Sequence, residues 1–586
     1  MILKALYDYY NRCDHLPALG MEEKEIGFVI VISKEGKFVR FEDCRIDNKQ
    51  ARTYLVKKHV GRSSAVAANY LYDNSTYVLG YADTEKAKGD TEQIKKHSDK
   101  ENACFGAFKE KVVSIYKVYP NCNDLAAICK FYQQSKEEIL SCISQDSLWE
   151  DIKKNLSKKY STFSFRIDGD LKIVAEKREL LQLEDSEDEN KGNLLCLITG
   201  NKGTAVDTTT ATMIPGSQAT AKLVSFQVNS GYDSYGKKKC GNAPISKDAE
   251  FAYTTALNAM LRKGSHNKFS VGNRTFVFWA SSNADAAQQA EESLFDLLDF
   301  TDEEQDDPNA KIEQVRKVFD SIYSGTLKTS LDDRFYILGL APNSARIAVV
   351  YWSECSLKEF AGKILRHFED MKIIDTRKDG KPYMGIKSML AAVTLNGKQS
   401  EATPNLPEAV VKSIFQGTPY PFTLFSACIR RIRAESGNKD NNAIRIARMA
   451  IIKAYLNRIN DNNKKINTML DKSNTNQGYL CGRLFAVLEN LQYAANKQDS
   501  IRSGYMNAAS STPSAVYPTI LKLSNSHYRK LAKDKKGLAM YFDNQKKEIM
   551  AQISDFPDTL DLSDQGRFFL GYYHQKNHEE NKNTED

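Results

Sequence analysis

The chain has 586 residues, enough for several hydrophobic cores, and its 41% hydrophobic and 27% charged content is that of an ordinary soluble protein. With 82 Lys+Arg against 75 Asp+Glu the net charge is only +7, so a role on nucleic acid must rest on local clusters of cations. No apolar run approaches the ~18 residues of a membrane span, no secretory leader opens the chain, and the 11 scattered cysteines show no C-x-x-C or zinc spacing. Reduced thiols, a cytoplasmic address and no membrane partner are expected.

Leu3, Leu6, Tyr7 and Tyr10 have helical spacing and predict a short amphipathic helix. A hairpin follows: Gly27 to Ile32, a turn at Lys34-Glu35-Gly36, then Lys37 to Phe41. Next come Arg52, Lys57, Lys58, His59 and Arg62, with no acid across residues 51–62, and then Asn69, Tyr70, Tyr72 and Asn74. Cations bind backbone phosphate, asparagine reads base edges and tyrosine stacks or wedges between bases. The plain alternative is an exposed loop beside a small sheet. Residues 104–160 read as mainly helical, and the acidic run Glu184 to Glu189 reads as a solvated linker or loop.

Leu194 to Thr199 and Leu223 to Val228 alternate like strands. The loop Gly231-Tyr-Asp-Ser-Tyr-Gly-Lys-Lys238 that follows nearly spells a phosphate-cradling G-x-x-x-x-G-K-[ST] motif. Lys238 stands where the Mg²⁺-holding hydroxyl belongs, and irregular chain through Pro244 replaces the required helix. What remains is a glycine-hinged loop with Tyr235 and three lysines, Lys237, Lys238 and Lys239, flanked by the amides Asn229 and Asn242. It suits gripping phosphate better than hydrolysing it, and its plain alternative is a lysine-rich surface turn. Ser246 is placed to cap a helix with Asp248 and Glu250 in its first turn, which Gly264 would stop. Arg274 to Trp279 predicts a strand, and Asp302 to Asp307 an acidic loop. Arg334 to Leu340, a turn at Ala341-Pro342-Asn343-Ser344 and Ala345 to Trp352 predict a hairpin.

From about residue 425 the pattern is helical: Ile452, Tyr455, Leu456 and Ile459, then Leu480, Leu484, Val487, Leu488 and Leu491, each mark one buried face of a bundle. Residues 427–458 hold eight basic residues, including Arg430, Arg431, Arg445 and Arg448, against Glu435 and Asp440. Arginine donates bidentately to phosphate, though most such runs are a solvated helix surface. His574 and His578 sit four apart, but Gln575 occupies the position where a metalloprotease needs glutamate. No nucleophile elbow, complete P-loop, dinucleotide fingerprint or zinc-protease motif is present, so a binding protein without cofactor is expected rather than an enzyme. The fold class expected is α+β: an α/β region over 1–183, a mixed α/β region over 192–424 with the glycine-lysine loop, and an all-α helical bundle over 425–586.

Several stretches belong together: MILKALYDYYNR, IGFVIVISKEGKF and NYLYDNSTYVLGY at the start; LCLITG, LVSFQVNSGYDSYGKKKCGNAPISKDAEFAYTTALN and RTFVFWA in the middle; DKSNTNQGYLCGRLFAVLENLQ, ASSTPSAVYP and DQGRFFLGYYHQ at the end. In this order and over essentially the full length, they resemble the large subunit of the type I-C CRISPR Cascade complex (the Csd-type family). The resemblance implies a non-catalytic antiviral role beside guide RNA, double-stranded target DNA and its displaced strand. The other partners implied are the backbone, handle-processing and small subunits, and a helicase-nuclease that cuts. The large subunit would check a short protospacer-adjacent motif, hold the guide RNA 5′ handle, start unwinding and stabilise the displaced strand, while base pairing reads the remaining sequence. Charge and loop chemistry then nominate Lys57, Lys58, Arg62, Asn69 and Asn74, with Ser234, Tyr235, Lys237 and Asn242, as motif readers. Lys238, Lys239, Arg430, Arg431, Arg445 and Arg448 are nominated as backbone contacts. The enzyme alternative is a nucleotide- or metal-dependent nuclease using the 231–238 loop. The family also implies a small subunit translated from inside the frame, for which Met449 and Met469 are candidate starts and Met469 is preferred.

Overall fold

Small sheets in the N-terminal and middle parts and helices in the C-terminal region make the chain mixed α+β, as its patterning predicts. The structure is a computed structural model. It describes residues 2–60, 62, 66–82, 91–158, 160–181, 192–226, 235–298, 308–375, 385–436, 446–459, 465–497 and 500–584. Both acidic runs, Ser234 and Arg445 lie outside the described residues. Contacts divide the chain into two compact units, one of Cys13–Val206 with Cys240–Thr255, the other of Met1–Arg12, Asp207–Lys239 and Ala256–Asp586.

The opening helix α1 (Ile2–Arg12) buries Ala5, Leu6 and Tyr9 and counts with the second of these units. Its last residue, Arg12, donates to the carbonyls of Ala280 at 2.7 Å and Ser282 at 3.2 Å and pairs with Glu291 at 3.3 Å.

In the other unit β1 (Met21–Glu25) precedes β2 (Phe28–Ile32), which is buried at every position. Such a strand must be covered on both faces, and β2 is central. It pairs antiparallel with β3 (Phe38–Asp43), through a turn in which Gly36 takes φ +80°, as the predicted hairpin requires. β4 (Thr53–Lys57) pairs with β1, and β5 (Tyr72–Asn74) leads into the single-turn α2 (Ser75–Val78). The expected helical region holds α3 (Thr91–Val118), α4 (Asn123–Phe131), α5 (Lys136–Ile143) and α6 (Trp149–Asn155). These carry the chain back to β6 (Thr162–Ile167), which lies parallel to β2 and completes the sheet order β3-β2-β6-β5.

After α7 (Arg178–Leu181) only β7 (Leu194–Leu195) and β8 (Lys202–Gly203) pair, two residues each. The strand expected over Leu194–Thr199 therefore ends early: Cys196 and Gly200 already close a turn, the Gly200 N–H donating to the Cys196 carbonyl at 2.8 Å. The strand expected over Leu223–Val228 is likewise absent from its described part, 223–226. Alternation was present but no neighbouring strand is; Lys222 makes only an isolated bridge to Arg346, and Thr209 takes the Val224 carbonyl with its hydroxyl. Ser246 does cap α8 (Lys247–Leu261), accepting the Ala249 N–H at 3.3 Å.

β9 (Lys268–Val271) and β10 (Arg274–Ala280) precede the helices α9 (Asp285–Leu298) and α10 (Pro308–Ser324). The predicted hairpin then forms β11 (Arg334–Asn343) and β12 (Arg346–Ser356), giving a sheet ordered β12-β11-β10-β9. Its turn falls at Ser344 and Ala345, with Ser344 left-handed at φ 54°, so β11 extends past the expected end. The helices α11 (Leu357–Met371), α12 (Ile386–Ala391), α13 (Leu406–Phe415), α14 (Phe422–Glu435) and α15 (Ile446–Ile459) follow. The last five are α16 (Gln477–Asn496), α17 (Ser500–Ala509), α18 (Pro513–Asp534), α19 (Lys536–Met550) and α20 (Leu562–Thr584). Sheet and helices share one continuous apolar core from Phe269 to Tyr573.

α16 and α20 touch backbone to backbone. A methyl group on Gly482 would stand 1.9 Å from the Phe568 carbonyl oxygen, and one on Gly571 2.1 Å from that of Tyr479. Around this seam the buried Glu489 accepts from Tyr572 Oη at 2.6 Å and Lys576 Nζ at 3.1 Å.

Candidate nucleic-acid interface

Tyr235 has φ 54°, Gly236 φ 74° and Lys239 φ 45°. Left-handed backbone at two side-chain-bearing residues costs about 1–2 kcal/mol each, so the turn is held by its neighbours. Lys239 Nζ lies 3.3 Å from the Asp207 carboxylate. The buried Cys240 then accepts the Ile245 N–H at 3.3 Å. Ahead of these contacts Tyr235 is 100% exposed and Lys237 and Lys238 are exposed, while Asn242 is exposed between Cys240 and Ile245. An exposed aromatic ring and two exposed lysines on a glycine turn can grip phosphate and stack on a base.

The region 57–74 is built differently. Lys57 is buried, its ammonium 4.8 Å from the Tyr70 ring centre. Lys58 lies 3.6 Å from Glu250 and 5.0 Å from the Phe251 ring. Arg62 forks onto Asp73, one arm at 3.0 Å, and stacks 3.9 Å from Tyr77. Asn69 accepts the Val60 N–H at 2.9 Å, while its own N–H donates to Asp73. Asn74 is the N-cap of α2, accepting from the N–H groups of Thr76 at 3.1 Å and Tyr77 at 3.3 Å. The window 51–62 does lack acids, but Asp73 and Glu250 reach it from elsewhere. Here each side chain nominated as a motif reader also meets a group of its own unit, while Arg62 and Asn74 remain exposed.

The basic run 427–458 also turns inward. Arg448 is 1% exposed, forks onto Glu435 at 2.6 and 3.0 Å and donates to the Ala392 carbonyl at 2.8 Å. Arg431 pairs with the same Glu435. Burial raises that carboxyl's pKa, but the two guanidiniums outweigh it and hold Glu435 below the usual range. Arg458 is buried against Asp370 at 2.6 Å and stacks 4.2 Å from the Tyr420 ring. Lys453 is buried too, and its burial lowers its pKa to about 8. Among the described members of the run, Arg430 and Arg433 keep exposed positions. His574 is fully buried: burial first, and the charge of Lys453 second, push its pKa down to about 3, and its Nδ1 meets Tyr479 Oη at 3.0 Å.

Charge counting passed over one open basic face. On α18, Lys522, Asn525, Ser526, Arg529, Lys530 and Lys533 recur at i, i+3, i+4, i+7, i+8 and i+11, and all are exposed. They share one helical stripe. Val516, Tyr517, Ile520 and Leu531 bury a different side of the same helix, so hydrophobic spacing read together with charge marks the stripe.

Among the described residues no helix is long and apolar enough to cross a membrane, and no cluster of His, Cys, Asp and Glu could hold a metal ion. Residues 6–579 match the family of CRISPR-associated proteins designated Cas_Csd1. No curated protein matches the chain.

Proposed function

The chain belongs to the CRISPR-associated Csd1 family, and on that premise we propose that it is the large, non-catalytic subunit of a type I-C Cascade surveillance complex. Within it the subunit checks the short protospacer-adjacent motif of double-stranded target DNA, contacts the guide RNA 5′ handle and promotes unwinding. It then stabilises the displaced strand and recruits the helicase-nuclease.

The observation that carries the motif-checking role is the turn Tyr235–Lys239, whose ring and cations are presented on a strained, anchored backbone. A wedge must be stiff to part base pairs, and the left-handed turn here ends at Lys239, 3.3 Å from the Asp207 carboxylate. Lys57, Lys58, Arg62 and Asn69 belong to the other compact unit, where each meets groups of that unit.

The test is motif-dependent binding of target duplex by the assembled complex with guide RNA. Tyr235→Ala combined with Lys237→Ala and Lys238→Ala should abolish the preference for motif-bearing DNA while assembly persists. An unchanged preference overturns the motif-reading role. Turnover of ATP, or of DNA with Mg²⁺, that is lost in Lys237→Ala would overturn the non-catalytic role.

A shorter product starting at Met469 fits the same complex. Met469 is 59% exposed between α15 and α16, whereas Met449 is fully buried inside α15. Mass spectrometry of the expressed complex should find residues 469–586 as a separate chain that Met469→Leu removes.

A further inference from the structure

We infer that the exposed stripe of α18, with the adjoining end of α16, binds single-stranded nucleic acid. The two helices are joined here by Lys530, whose ammonium donates to Asn496 Oδ1 at 2.9 Å. Tyr493 and Asn496 stand at i and i+3 in the last turn of α16 and Lys497 is its left-handed C-cap, and Tyr493 is 54% exposed with Lys497 5.4 Å over its ring. The face therefore combines a row of cations with an open aromatic ring, the pairing that single-strand binders use for phosphates and bases together.

Charge supports the assignment. Residues 522–536 carry Lys522, Arg529, Lys530, Lys533, Lys535 and Lys536 against Asp534 alone. Among the described residues Lys522, Arg529 and Lys533 have no acidic partner, so their charge faces outward. From Lys522 to Lys533 the stripe runs about 16 Å at the α-helical rise. That span faces about five phosphates at the spacing of one DNA strand. A paired base keeps its faces inside the stack, so Tyr493 can add stacking only to an unpaired one.

This inference rests on the reading that the subunit handles opened duplex, and its test separates the two. The full chain is titrated by fluorescence anisotropy against labelled dT and rU 20-mers and against motif-bearing duplex, across a salt series. The variant Lys522→Ala/Arg529→Ala/Lys533→Ala should keep its thermal midpoint and lose single-strand affinity roughly tenfold or more. Its log-log salt slope should flatten by about 2, from ~0.7 for each lost contact. Tyr493→Ala should weaken the single strand about five- to 150-fold by itself. Tighter dT or tighter rU binding by the parent chain, lost in the triple variant, supports the inference and identifies the strand as DNA or RNA. Single-strand binding unchanged in the triple variant overturns it, as it would if the face served an acidic protein. Should that happen while the Tyr235, Lys237 and Lys238 variant still loses motif preference, the proposed function stands and only this inference falls. The reverse pair of results removes the motif-reading role and leaves the single-strand face.

Discussion

α15 and α18 are both rich in cations, yet they use them in opposite ways. α15 buries Met449, Ala450, Ile451, Ile452, Ala454 and Leu456, apolar residues on all sides. A helix that is apolar all round lies inside a protein, so Arg448, Lys453 and Arg458 go in with it and must find Glu435, Asp370 and backbone carbonyls there. α18 buries a narrow side and leaves its cations in water. The number of charges in a run therefore says little about where they act. The apolar positions between them decide whether a cation is a structural tie or a contact for a partner.

The sharpest test of that contrast is Arg448→Ala. Removing Arg448 leaves Glu435 with Arg431 alone and orphans the Ala392 carbonyl, at a cost near the lower end of about 3–5 kcal/mol. Denaturant unfolding of the full chain should show that loss; a change as small as a surface substitution would break the comparison.

Acid should act on the same interior. Arg458 adds to the burial that lowers His367 to about 3, and Lys453 adds to the burial that lowers His574 to about 3. Between pH ~6.5, the ordinary histidine value, and 3 the unfolded chain binds these protons and the folded chain does not, so stability falls as pH falls through that window. Each histidine contributes up to about 1.4 kcal/mol per pH unit there. Thermal midpoints measured from pH 7 to 5 should fall, and His574→Gln should flatten the trend by one proton. A midpoint that rises on acidification would contradict the assignment.

A smaller effect separates tie from contact in the other unit. Asn74→Ala should cost about 1 kcal/mol of stability through its lost cap, with no change in which DNA sequence the complex prefers. A preference altered at one base pair with stability intact would return Asn74 to a reading role. The smallest effect belongs to α18: Lys533→Ala should move unfolding by less than about 0.5 kcal/mol. A larger loss would mean that the stripe is a hidden tie.

Much of this architecture was readable from local pattern. The Gly36 turn, the Ser246 cap, the β11–β12 hairpin and the helices α15 and α16 follow from spacing and turn residues a few positions apart. The strands expected at Leu194–Thr199 and Leu223–Val228 failed because a strand needs a neighbour, and alternation cannot report one. The site divides the same way. The exposure of Tyr235, Lys237 and Lys238 on a glycine turn was legible. The partners that occupy Lys58, Arg62 and Arg458 were not, since Glu250, Asp73 and Asp370 lie outside each cation's own segment. The α18 stripe lay within reach of the sequence, once helical spacing and charge are read on the same residues.

The glycine seam between α16 and α20 carries its own consequence. Its contact is made by main chain, so the outer residues of both helices can drift without touching it. Its alignment cannot. Advancing α20 by one residue turns it about 100° and carries Gly571 away from the Tyr479 carbonyl. A one-residue insertion between Phe568 and Gly571 should therefore do more harm than several exchanges on either exposed face.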